Sequence, residues 1–328
     1  MNNFGKIINL TIFGESHSKM IGISINGIPA GIEINTDTLQ TIINERKPGK
    51  IGTTKRIEQD IPIFVSGINN NITTGAPITV LFENHNANSN DYSNFRNHPR
   101  PGHSDFTASY KYNNNNDING GGMFSGRLTL LLVVAGYFSR LVLPKEIEVN
   151  SNIVELHNSK EFEFEIEKAI SQNDSIGGII ETIIHNVPIG LGEPYFGSME
   201  SIISQLAFSI PGIKAIEFGA GFHSTKIYGS ENNDLIIDSN GKTSTNNSGG
   251  INGGISNGNN IIFRVAVKPT SSIGKEQMTF NLITKKVEPL VISGRHDVCF
   301  ALRVPPILKA ISYIVIADLY LLRKTQIH

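Results

Sequence analysis

Ile7-Ile-Asn-Leu-Thr-Ile-Phe-Gly-Glu-Ser-His17-Ser-Lys-Met-Ile-Gly-Ile-Ser-Ile-Asn26 carries two apolar runs, 7–12 and 21–26, on either side of a polar turn. Both runs read as strands. The turn between them presents His17 within Phe-Gly-Glu-Ser-His-Ser-Lys, residues 13–19. A histidine at the end of a short strand can face a cleft with one ring nitrogen free. Its ordinary pKa near 6.5 lets it give or take a proton near neutral pH. Alone, a turn histidine is as a rule a surface residue, so its meaning depends on what the chain places beside it.

Outward from that turn, residues 36–46 have helical spacing (Leu39, Ile42, Ile43) behind an Asn35/Thr36 cap and end at Arg46-Lys-Pro-Gly49, a stop signal. Residues 61–66 and 78–82 read as strands. A long irregular stretch, 83–122, follows, and loops of that length in compact domains usually have a task. Helices are expected over 125–143, 162–171, 199–210 and 307–322, and strands over 176–185, 215–219 and 261–267. The alternation implies mixed α/β layering rather than a regular βαβ series. With no linker and no internal repeat, residues 1–328 are expected to form a single domain.

Composition sets limits. The 328 residues hold 28 basic and 29 acidic side chains, a net charge of −1. That balance argues against a nucleic-acid or membrane-surface partner. One cysteine, Cys299, excludes an intrachain disulfide and a cysteine-rich zinc site, and fits a reducing compartment. No signal peptide is evident, and the apolar stretches 128–138 and 307–322 read as buried core helices.

Four constellations could carry chemistry. His103 lies in Arg100-Pro-Gly-His-Ser-Asp105, a second turn that sets a histidine beside a cation and a carboxylate. Two histidines in separate turns suit two proton tasks at one site, and no metal-ligand spacing accompanies them. Arg46, Lys47, Lys50, Arg100, Arg127 and Arg295 sit in turns or at helix ends. Singly each could be a solvated charge; converging, they would bind a small polyanion. Gly120-Gly-Gly-Met-Phe-Ser-Gly-Arg127 and Ser248-Gly-Gly-Ile-Asn-Gly-Gly-Ile-Ser-Asn-Gly258 are glycine-rich without matching a P-loop or a dinucleotide fingerprint. The strand 261–267 delivers Lys268-Pro-Thr-Ser-Ser272, a cation and three hydroxyls suited to a phosphate or ribityl chain. Asp318, in an apolar helix, is either a satisfied core partner or a proton relay.

In their order, Gly14-Glu-Ser-His17, Arg46-x-Pro-Gly49, Arg100-Pro-Gly-His-Ser-Asp105, Gly120-Gly-Gly with Ser-Gly-Arg127, Gly249-Gly-Ile-x-Gly-Gly-Ile-Ser256, Lys268-Pro-Thr-Ser-Ser272 and Gly294-Arg-His-Asp-x-Cys299 resemble the chorismate synthase family, from about residue 3 to 323. The resemblance implies an α+β fold, a β-α-β sandwich with a helical layer between antiparallel sheets. It implies a cytoplasmic homotetramer in aromatic amino acid biosynthesis. The implied reaction is a trans 1,4-elimination converting 5-enolpyruvylshikimate 3-phosphate to chorismate and phosphate, with reduced FMN and no net redox change. NADPH is a possible reductant of the flavin.

Residue roles follow from the same resemblance. His17 would donate a proton to the departing phosphate, and His103 would stabilise charge near the flavin N1/C2 region. The flavin N5 is suited to accept the C6 proton, with Ser125 and Asp318 as relay positions. FMN contacts are expected at Met123, Phe124, Ser125, Pro211, Gly212, Gly253, Lys268, Pro269, Thr270, Ser271, Ser272 and Arg295. Substrate anions would meet Arg46, Lys50, Arg100, Arg127 and Arg295. The chain departs from the family pattern at Ser18, usually glycine, at Met123-Phe124, often Arg-Ser, and in shorter segments at 49–53 and 144–175. Two other readings of the same residues are an NAD(P)H-dependent FMN oxidoreductase and a nucleotide-binding module without activity; intact His17, His103 and Asp318 count against the second.

Overall fold

The computed structural model describes residues 2–54, 56, 58–85, 92–292, 294 and 296–326. Two antiparallel sheets enclose a layer of helices. The first sheet holds β1 (Asn3–Phe4), β2 (Asn9–Gly14), β3 (Met20–Asn26), β4 (Ile63–Ser66) and β5 (Ile78–Glu83), in the order β1-β2-β3-β5-β4. The second holds β6 (Glu148–Leu156), β7 (Gly178–His185), β8 (Ile213–Phe218) and β9 (Ile261–Val267), in the order β8-β9-β7-β6. This is the sandwich expected from the resemblance.

β2 and β3 are the two runs flanking His17. They pair from Asn9↔Asn26 to Gly14↔Ile21, which leaves residues 15–19 as the connecting turn. Period-two burial explains the pairing: Ile21, Ile23 and Ile25 are fully buried and face Phe82, Val80 and Ile78 of β5 across the ladder.

Helix α1 (Thr36–Arg46) begins at Asn35, whose side chain accepts the Thr38 amide. α2 (Asp105–Lys111) interrupts the stretch read as irregular. α3 (Thr129–Leu141) and α6 (Pro305–Gln326) form the central layer, with α1 beside them and α5 (Met199–Ala207) against α6 and β8. Every residue of α3 from Thr129 to Ser139 is buried. A helix apolar on all faces belongs inside, and that is where both apolar stretches of the sequence lie. α6 is long and apolar enough to cross a membrane by length and composition, yet it is largely buried against α3, β6 and β7. α3 and α6 touch closely at Gly136, where a Cβ would run into Ala310. A fully buried leucine or isoleucine contributes roughly 1.5–3 kcal/mol, and one continuous cluster of such side chains runs from Ile8 through both central helices to Leu319.

Several strand regions depart from expectation, among them the small hairpins Ile68–Asn69 with Ile72–Thr73 and Ile251–Asn252 with Ile255–Ser256. β6 was not anticipated, because Glu-Val-Asn-Ser-Asn-Ile-Val-Glu-Leu is too polar to show an apolar run; it is an edge strand. A hairpin, Gln277–Asn281 with Lys286–Leu290, was likewise silent in the sequence.

Candidate active site

The turn after β2 is knitted by its own side chains. The Ser18 hydroxyl accepts the Glu15 amide (3.0 Å) and lies 2.8 and 2.7 Å from the carbonyls of Glu15 and Met20. Ser18 thus fits where the family usually has glycine, and its hydroxyl adds bonds a glycine lacks. Asn84, just past β5, donates to the Ser18 carbonyl (2.7 Å) and accepts from Arg127 Nε (3.0 Å), joining the turn to the start of the central layer.

Against this turn lies Gly120-Gly-Gly122. All three glycines have positive φ. At Gly120 (φ +59) a Cβ would fall into the His17 ring, while one at Gly121 would lie 3.7 Å from His103 Nε2. Only glycine satisfies both the backbone conformation and the space at Gly120. The glycine run therefore separates the two histidines and brings both to one cavity of about 610 Å³, a size that suits a small ligand or two.

His103 is fixed by a buried ion pair. Arg100 donates to Asp105 through its backbone amide and through Nε (2.7 Å) and Nη2 (2.8 Å), and through Nη1 to Ser272 Oγ (3.0 Å). Asp105 Oδ1 lies 2.6 Å from His103 Nδ1. Burial pulls His103 below the ordinary imidazole value, with Asp105 opposing and Arg100 reinforcing the shift. Burial would raise Asp105, but its bonds to Arg100 and His103 prevail and hold it well below the carboxylate range.

Guanidiniums surround the cavity. Arg46 is 2 % exposed, and its carboxylate partner Asp60 also pairs with Arg127. Burial, then Arg303, lowers the Arg46 pKa to about 9, so it stays charged at neutral pH. Its Nε is buried with no partner among the described residues. Arg56 pairs with Glu58 and donates to Ser16 Oγ and the Ser16 carbonyl, each at 3.0 Å. Arg303 pairs with Asp297 (3.1 Å), which also accepts the Thr54 amide (2.8 Å).

On another wall, Lys268 Nζ donates to Gly102 O (2.6 Å) and Ser271 Oγ (2.7 Å). Burial lowers its pKa, with Lys214 adding to the shift. Thr270 Oγ1 is buried without a partner among the described residues. Ile210 and Phe300 add apolar surface to the same cavity. Hydroxyls and a cation beside apolar rings fit a flavin mononucleotide, whose flat ring wants apolar contact and whose ribityl phosphate wants donors.

His17, His103, Arg46, Arg100 and Arg127 all line the cavity, as do Met123, Phe124, Ser125, Pro211, Gly212 and residues 268–272. The Ser125 hydroxyl also caps the turn into α3 by accepting the Arg127 amide (3.3 Å). Arg295 lies outside the described residues. Lys50 is exposed and off the cavity wall. Gly253 turns between two short strands, also off the wall.

Asp318 requires a correction. It does not line the cavity; it is 2 % exposed and accepts the backbone amides of Lys6, Ile7 and Ile8 at 2.7–3.2 Å. With its oxygens engaged by main chain, it is a satisfied core partner, one of the two readings the sequence left open. The carboxylates on the wall are Glu58, Asp60 and Asp297. Sequence reasoning assigned no role to Asp297 or Ser16, although both stood inside quoted motifs. It missed Arg56, Asp60 and Arg303 altogether, since no local pattern marks them.

Two imidazoles amid buried guanidiniums on one cavity have the make-up of an enzyme site for a small molecule. The model of the chorismate synthase family matches residues 8–321. The chain is 50 % identical to the chorismate synthase of Chitinophaga pinensis over 324 residues, covering 99 % of this chain and 98 % of that protein. It is 40 % identical to that of Thermococcus gammatolerans over 348 residues, with 98 % of each chain covered. A crystal structure of chorismate synthase superposes with a TM-score of 0.76 at 23 % identity, covering 98 % of this chain and 93 % of that one, a likeness of fold. The chain belongs to the chorismate synthase family, and with it to the carbon–oxygen lyases of the shikimate pathway.

Proposed function

We propose that the cavity holds 5-enolpyruvylshikimate 3-phosphate beside reduced FMN and carries out the trans 1,4-elimination that releases phosphate and yields chorismate. The observation that carries this reading is the meeting of His17, His103 and the buried guanidiniums on one cavity. A phosphate and two carboxylates need several cations. Arg46, whose Nε has no partner among the described residues, is the foremost of them.

Arg46, Arg100 and Arg127 bind and orient the anionic groups, in positions held by Asp60 and Asp105. His17 gives a proton to the departing phosphate. His103 stabilises negative charge on the far side of the glycine turn. Residues 123–125 and 210–212 exclude water, and residues 268–272 take the phosphate and ribityl end of the cofactor. Reduced FMN, when bound, supplies electron density to the allylic system with no net redox change. NADPH stands as a candidate reductant of the flavin, and NADPH-dependent bleaching of FMN is the check. We also propose that 1–328 act as one domain, in a cytoplasmic homotetramer, with small molecules and not nucleic acid or membrane as partners; the continuous core supports the first point.

The test is anaerobic incubation with dithionite-reduced FMN and 5-enolpyruvylshikimate 3-phosphate, following phosphate and chorismate together. Well-folded protein that releases neither sinks the proposal. His17→Ala and His103→Ala should each slow turnover by about 10²-fold or more. A near-parental rate in either removes that histidine from its role.

A further inference from the structure

We propose that the two site histidines are locked in opposite neutral tautomers, His17 by Ser16 and Arg56 and His103 by Asp105 and Arg100, so that His17 faces the cavity as a donor and His103 as an acceptor. This assignment of positioning residues deepens the functional reading above and rests on it for its purpose, though not for its evidence.

The argument for His17 is a count of protons. Ser16 is fully buried, and its hydroxyl has one proton and two lone pairs. Arg56 Nη1, which can only donate, occupies one lone pair at 3.0 Å. The remaining partner of that oxygen among the described residues is His17 Nδ1, at 3.2 Å. If Nδ1 carried the ring proton, the hydroxyl proton would be left buried with no acceptor among the described residues, at a cost of about 1–3 kcal/mol. The hydroxyl therefore donates to Nδ1, and the neutral ring keeps its proton on Nε2. Glu58 holds Arg56 in place through Nε (3.1 Å) and Nη2 (2.8 Å), so the donor direction is set from behind.

For His103 the partner is a carboxylate. Asp105 Oδ1 lies 2.6 Å from Nδ1, and a contact that short between two lone pairs would be repulsive, so a proton lies between them. Three donations from Arg100 keep Asp105 ionised and acceptor-only, which puts the proton on Nδ1. Arg100 Nη2, 3.1 Å from the same nitrogen, is the more distant neighbour and already serves Asp105. Nε2 is left with its lone pair, next to Gly121.

The chemical sense follows. A leaving phosphate needs a proton at the moment its bond breaks, and a ring with Nε2–H has one to give. A ring with a bare Nε2 accepts a hydrogen bond, and once it has taken up a proton it is a cation that Asp105 stabilises beside negative charge. One glycine turn separates the two.

The experiment is nitrogen NMR of the flavin-free protein, labelled at both histidine ring nitrogens, at a pH about two units above the ordinary imidazole value. The chain has 9 histidines; the two sets of interest are assigned by their loss in His17→Gln and His103→Gln. The expected result is the proton on Nε2 of His17 and on Nδ1 of His103. The same tautomer in both rings overturns the proposal. Ser16→Ala should turn His17 into a mixture, with Ser16→Thr restoring the single form. Asp105→Asn should move the His103 proton to Nε2, because the new amide donates where the carboxylate accepted. In the comparable change in a Ser-His-Asp triad, the wrong tautomer lowers kcat about 10⁴-fold. A silent Asp105→Asn spectrum also refutes the assignment. Turnover is not part of the readout, so correct tautomers in a protein that fails to make chorismate would sink the reaction and leave the assignment intact.

Discussion

Asp60 stands between the guanidiniums of Arg46 and Arg127, almost fully buried, with φ +53. That left-handed conformation is unusual for a residue other than glycine, though Asp adopts it more readily than most. The strain is compensated by two buried charges that would otherwise lack a counterion. Asp105 does the same for Arg100. These pairs make the fold sensitive to acid, and the sign can be worked out. His103 has its pKa lowered in the folded state, so below the ordinary value near 6.5 the unfolded chain takes up a proton first and stability falls. Asp105 is also lowered, so the stability it contributes is present above the unfolded carboxylate value near 3.9 and is lost as the pH falls below it. Melting temperature should therefore drop from about pH 7 to pH 5 through His103, and further toward about pH 3 through Asp105. His103→Gln should flatten the upper part of that curve; an unchanged slope would show that His103 is not the titrating group. At this scale the sequence showed the histidines and the arginines at turns, because turn residues advertise themselves. It hid Asp60, Arg56 and Arg303, whose importance comes from neighbours far along the chain.

Helix ends and strand cores were the legible elements. α1, α4 (Phe162–Ser171) and β9 coincide with their expected bounds, since each combines clear periodicity with a stop or a turn. The expected helix 125–143 is shorter: residues 126–128 form a tighter turn, and the α-helix proper starts at Thr129. The polar β6 and the short α2 were not legible, because their pairing and burial, rather than their own pattern, decide their form. The same distinction explains Asp318. An acid in an apolar helix can be a relay or a bracket, and the three amides of residues 6–8 decide for the bracket. Asp318→Ala should leave those amides without their acceptor and cost about 1–3 kcal/mol or more, seen as a lower melting temperature. Its turnover, measured where the protein is folded, should stay within about threefold of the parent, well short of the 10² or more lost with a proton carrier. A hundredfold fall at unchanged melting temperature would restore the relay.

Across the whole molecule, the cavity draws on residues from Ser16 to Arg303, and no spacing rule could have assembled them. The motifs could be recognised one by one; their convergence is a property of the two sheets and the helices between them. The surface carries its own signal. Tyr195, Phe196, Phe222 and Tyr228 are exposed by 74–99 %, with Leu235 and Ile236 at 67 % each. Large apolar side chains left in water in such numbers suit a protein that associates. Light scattering should give the mass of four chains, and a monomer at micromolar concentration would refute the tetramer. The bracket between Asp318 and residues 6–8 has a further consequence, one of timing. β2, which leads to His17, begins one residue after the amides that Asp318 holds, and those partners are more than 300 positions apart. A ribosome has made nearly all of this chain before the bonds from residues 6–8 to Asp318 can form. The segment that leads into β2 is thus among the last parts of the chain to be bracketed, and a nascent chain stopped before α6 would carry Arg46, Arg100, Arg127 and Arg303 and still lack that bracket.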